Sequence, residues 1–106
     1  MIRVSGFYRW RDGARFDHAD YAGRHMAMAR ELLQPFGLTR LESDRRLSAA
    51  APASGEIVAA SHAYFATVED AQNAVVKAGA SLLADAANYT DLVPEICLFA
   101  VSDHAD

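Results

Sequence analysis

Imidazoles and phenols carry most of the chemistry this sequence can offer. His18, Tyr21, His25, Met28 and Leu32 recur at three- and four-residue spacing, which on a helix sets them along one stripe. A stripe facing a core is ordinarily apolar, so Tyr21 and His25 within it call for polar partners or a cavity between helix and sheet. An imidazole titrates near neutrality and can move a proton beside a carbonyl group. His62, in Ser61-His62-Ala63-Tyr64, is the second candidate, since a strand that turned it toward the helices would bring it near His25. Tyr21 or Tyr64 would then serve as hydrogen-bond donor, and Tyr8, Phe16, Met28, Tyr64 and Tyr89 would suit a flat apolar ligand. Each also has a plain structural reading, as a histidine satisfied by a backbone or phenol group or as an aromatic packed in a core.

Other chemistries find less support. His18 and His25 stand seven residues apart, roughly 10 Å along a helix, too far to share one ion. No His-x-x-x-His or Glu-x-x-His pattern occurs, so no metal is expected. Glycine-rich phosphate loops and a nucleophile elbow are lacking as well, and no nucleotide or other cofactor is expected. Cys97 is the single cysteine. It excludes an internal disulfide and reads as a small apolar strand residue.

The 106 residues amount to about one small domain. Apolar residues make up 52% and charged residues 23%, which fits a soluble globular protein and excludes a disordered tail. Twenty-two of the apolar residues are alanine, so large side chains are fewer than the apolar share suggests. The net charge of −4 has the wrong sign for neutralising phosphates, and no nucleic-acid partner is expected. The charge is uneven, with nine Arg against six acids over residues 1–46 and one Lys against eight acids afterwards. No stretch approaches membrane-spanning length and no basic start leads into an apolar run, so a cytoplasmic location is expected.

The elements follow from pattern and punctuation. Residues 2–10 are β-branched and aromatic and stop at Asp12-Gly13, a strand ended by a turn. Asp17 then caps a helix over 18–33, which Pro35 and Gly37 end. Residues 38–46 read as a polar edge strand, 47–55 as a loop rich in Ala, Ser and Pro, and 57–66 as a third strand. Thr67 caps a helix over 68–78 with Gly79 at its stop; a short helix over 81–87 and a last strand over 94–101 complete the chain. The order β-α-β-β-α-β is that of a ferredoxin-like α+β fold, a four-stranded antiparallel sheet with both helices on one face. The third and last strands are apolar on both faces, whereas a half-wetted sheet alternates. A homodimer joined through the sheet faces is therefore expected.

At these residues the sequence resembles the EthD family, named for a bacterial gene cluster that degrades ethyl tert-butyl ether. The likeness covers nearly the whole chain. It rests on Gly13-Ala14-Arg15-Phe16-Asp17-His18 leading to Tyr21 and His25-Met26, on Gly37-Leu38, on His62-Ala63-Tyr64-Phe65, and on Asp85-Ala86-Ala87-Asn88-Tyr89-Thr90 before Pro94. Ala27 and Met28 stand where the family usually has Pro and Leu. The resemblance implies a dimeric α+β barrel, in which the sheets of two subunits meet. Similar barrels include isomerases, cyclases and cofactor-free monooxygenases, and the family's own cluster includes an ether-oxidising cytochrome system. Three readings follow: an enzyme using His25, Tyr21 and His62 on an apolar oxygenated ligand; a carrier serving a partner oxidase; and a structural dimer without a ligand.

Overall fold

A computed structural model describes residues 1–105. Strand β1 (Ile2–Arg9) leads into helix α1, which has three stretches: His18–Asp20, a π-helical stretch Tyr21–His25, and Met26–Leu33. The Asp17 carboxylate accepts from the Asp20 N–H at 3.1 Å and starts the helix, satisfying a donor that the first turn leaves free. A 3-10 turn, Gln34–Phe36, follows and Gly37 ends it at φ 90°, a left-handed conformation open to glycine. Strands β2 (Arg40–Arg45) and β3 (Ile57–Phe65) come next, then helix α2 (Val68–Asp85), a 3-10 turn Ala86–Asn88, and β4 (Glu95–Ala100).

The sheet is antiparallel in the order β2-β3-β1-β4, and its strand and helix order is the ferredoxin-like one expected. β2 is an edge, as its polarity predicts. Gly79 does not stop α2, which the sequence divides into two helices. The alanine-rich runs on either side outweigh the modest penalty of one glycine, and the expected 81–87 helix becomes the end of α2 with the following turn.

Cross-strand partners share a face. Val4 pairs with Ala63, Gly6 with Ser61 and Tyr8 with Ala59, and these residues face the helices. Ser5 pairs with His62 and Arg3 with Tyr64, so His62 and Tyr64 face away from them. β3 is buried or half-buried throughout, but β4 departs from the expectation that both its faces are covered. Ile96 and Leu98, on its helix side, are 46% and 41% exposed, because α2 packs mainly over β1 and β3.

Two packed clusters form beneath the helices. One is aromatic, built on Tyr8, Tyr21, Val58 and Tyr89 with Phe16 against it. The other is built on Leu33, Phe65 and the alanines 29, 63, 71 and 74. No helix among the described residues is long and apolar enough to cross a membrane.

Candidate functional site

Where the two clusters meet, a cavity of about 420 Å³ lies between α1, α2 and the sheet. Its walls include Ala29, Ala63 and Ala74, positions where a larger side chain would fill the space; the alanine-rich composition thus leaves a hollow where a core would close. The polar side chains lining it are His25, Tyr8 and Ser61. The rest of the lining is apolar, the composition of a small-molecule site.

The π-helical stretch sets which face of α1 meets this cavity. The Met26 N–H reaches back to the Tyr21 carbonyl, five residues earlier. The extra residue shifts the inward stripe, so that residues 21, 25, 29 and 33 are buried, in place of the 21, 25, 28 and 32 of an unbroken α-helix. Single π turns of this kind recur at functional sites. Met26 consequently lines the cavity and Met28 does not.

His25 is 6% exposed, and its Nδ1 lies 2.7 Å from Asp85 Oδ2. Asp85 also accepts from Arg24 Nη1 at 2.9 Å and Nη2 at 3.0 Å, and from Asn88 Nδ2 at 2.9 Å. Arg24 grips Asp20 as well, with Nε and Nη2 each at 2.8 Å. The Arg24 guanidinium first, and His25 next, hold the Asp85 carboxyl well below the usual carboxylate range. An ionised carboxylate can only accept, so Nδ1 carries a hydrogen and donates it. In neutral His25 the lone pair is then on Nε2, a tautomer fixed by its partner as in catalytic His–Asp pairs.

Phenols surround the ring. Tyr21 stacks on it, with centroids 5.6 Å apart and planes 17° from parallel. Tyr89 is 0% exposed; its hydroxyl lies 3.5 Å from His25 Nε2 and 2.5 Å from the Tyr8 hydroxyl. Burial first pushes the Tyr89, Tyr8 and Tyr21 hydroxyls above the ordinary phenol value, so all three stay protonated. Tyr89 is fixed through its backbone: Asp17 N–H donates to its carbonyl at 2.7 Å, and the next residue, Thr90, donates its hydroxyl to the Arg15 carbonyl at 2.7 Å. These bonds lock the start of α1 to the chain beyond α2.

The structure brings together some of the residues singled out in the sequence and separates others. His25 and Tyr8 line the cavity, with Tyr21 and Tyr89 against His25. Phe16 packs edge-on against Tyr8, Tyr21 and Tyr89 without lining the cavity. His62 and Tyr64 are parted from His25 by the sheet itself. His62 is held between Ser5 Oγ and Asp44 Oδ2, each at 2.7 Å, and Tyr64 donates to Glu42 Oε1 at 2.9 Å. With apolar residues on both faces of β3, the alternation pattern gives no hint of which face carries His62. Sequence reasoning assigns no role to Asp85, Arg24 or Asn88; the signal available was an acid followed by Asn at three residues in an alanine-rich helix end.

A crystal structure of an EthD-like protein from Ralstonia eutropha JMP134 superposes with a TM-score of 0.81 at 32% sequence identity, over 98% of this chain and 94% of that one. The chain belongs to the EthD family. A crystal structure of an EthD family protein from Bacillus halodurans C-125 aligns at a TM-score of 0.63 and 14% identity, over 96% of this chain and 99% of that one, a likeness of fold. No family sequence model and no curated protein matches. In this EthD-family chain α1 continues through Ala27 and Met28, where proline would withdraw a backbone donor.

Proposed function

We propose that this EthD-family protein binds a small apolar molecule bearing an oxygen function in the cavity between α1, α2 and the sheet, and that His25 moves a proton to or from it. The supporting observation is the pairing of buried His25 with half-buried Asp85: its carboxylate fixes the Nδ1–H tautomer and stabilises the imidazolium formed when Nε2 takes a proton.

The ligand is identified by mass spectrometry of small molecules released on denaturing the purified protein, and His25→Ala is then measured for both binding and turnover. Lost turnover with binding retained supports catalysis. Binding without turnover by the wild type supports the carrier reading, in which the ligand passes to a partner oxidase. A wild type that binds no small molecule overturns the proposal.

A second copy is proposed on the open sheet face. Phe7 and Phe99 meet edge to face there with centroids 6.4 Å apart, and the Arg3 guanidinium lies 5.0 Å from the Phe99 ring centre. Arg3 Nε is buried without a hydrogen-bond partner among the described residues, a cost that an acceptor from a facing sheet would remove. Sedimentation at micromolar concentration tests it, and a monomer overturns it.

A further inference from the structure

We infer that the ligand is a carbonyl compound with an ionisable hydrogen on the adjacent carbon, its oxygen received by the Tyr8 hydroxyl and its hydrogen taken by His25 Nε2. The inference rests on the small-molecule reading above and names the substrate class of that site. Tyr8 and His25 both line the cavity, whereas Tyr89 is shut away behind them. The Tyr89 hydroxyl has one hydrogen and two neighbours, Tyr8 Oη at 2.5 Å and His25 Nε2 at 3.5 Å. The nearer oxygen is the better acceptor by distance. With Tyr89 donating to Tyr8, the Tyr8 hydrogen has no protein acceptor among the described residues, and Nε2 keeps its lone pair.

Two residues of the cavity wall therefore carry a hydroxyl donor and a nitrogen lone pair one bridging hydroxyl apart. A carbonyl oxygen and the hydrogen on its neighbouring carbon have a matching arrangement: an acceptor and a proton held three bonds apart on one compact group. An ether engages Tyr8 alone. Proton transfer balances without a co-reactant. The Nε2 lone pair bonds to the proton, the carbon–hydrogen electrons become a carbon–carbon double bond, and the carbonyl pair moves to oxygen, where the Tyr8 O–H meets the developing charge. The proton then returns from Nε2 to the same or a conjugated carbon, giving exchange or double-bond isomerisation. Burial keeps Tyr8 a donor, and the Tyr89 hydrogen bond to its oxygen lowers the cost of leaning toward the enolate.

The experiment uses 2-indanone, 2-tetralone and the hydrocarbon indane as probes of the full chain. Binding is read from shifts of the Tyr8 and His25 side-chain NMR signals, and α-hydrogen exchange from loss of the ketone signals in deuterium oxide. Exchange is expected to exceed the buffer rate. It is expected to fall by about 100-fold or more in Tyr8→Phe, to return to the buffer rate in His25→Gln, and to fall by a smaller factor in Tyr89→Phe, a positioning residue. Indane is expected to bind more weakly than 2-indanone, a comparison that needs no variant. Ketones that bind but exchange at the buffer rate overturn this inference and leave the small-molecule site standing. Exchange unaltered in folded Tyr8→Phe also overturns it. Failure of both ketones to bind overturns this inference, whereas the small-molecule reading falls only if the wild type releases no small molecule on denaturation.

Discussion

His25 Nδ1 and Asp85 Oδ2 lie 2.7 Å apart across 60 residues of chain, the one on α1 and the other at the end of α2. The contact fixes the imidazole tautomer and ties the two helices together at the site. Arg24, which bonds both Asp85 and Asp20, supplies the positive charge that keeps the carboxylate ionised.

Asp85→Asn tests that relationship. The amide cannot hold the imidazolium by charge, and Arg24 loses an anionic partner. A loss of about 1 kcal/mol is expected from a broken part-buried polar contact, read by chemical denaturation, together with slower proton transfer on any ketone that exchanges. Unchanged stability and unchanged exchange would refute the role given to Asp85.

Acid should weaken the fold through the same carboxylate. Asp85 titrates below its unfolded value because of Arg24, then His25, with Asn88 adding a smaller contribution against a desolvation cost. A depressed carboxyl stabilises above its unfolded value, near pH 4, and that stabilisation drains away as pH falls from there through the folded value. Melting temperature is therefore expected to drop more steeply below about pH 5 in the wild type than in Asp85→Asn, with the two curves converging in acid. Parallel curves would contradict the assignment.

Filling the cavity should separate binding from folding. Ala29 is buried against the hollow, so Ala29→Leu places added carbons in empty space. Ketone binding is expected to weaken by about tenfold or more while stability changes by under ~1.5 kcal/mol. Retained affinity by NMR titration would place the ligand elsewhere.

Phe99→Asp probes the open sheet face. Phe99 is 37% exposed in the single chain, so an exposed substitution alone has little effect on folding. If two sheets meet there, the buried charge splits the assembly, and light scattering should report roughly half the wild-type mass. A mass unaffected by Phe99→Asp would remove this face as the interface.

Much of the fold was legible locally. Asp17 and Thr67 cap the two helices as their positions before apolar runs predict, and the polarity of residues 40–45 marks an edge. Less of the site was legible. Tyr21 and His25 could be placed on one buried stripe, but the π turn between them shifts all that follows, exchanging Met28 for Met26 at the cavity. No spacing rule announces that turn, because it substitutes one backbone bond for another without a distinctive side chain.

The sequence by itself determined the order of elements and the amphipathic face that carries Tyr21 and His25, since these depend on neighbours within a few residues. Tertiary structure decided that His62 faces away from His25, because a strand apolar on both sides gives period-two alternation nothing to orient. It also decided that Asp85 and Tyr89 flank the imidazole, because contacts across 60 or more residues arise from packing two helices on one sheet and leave no mark in local spacing.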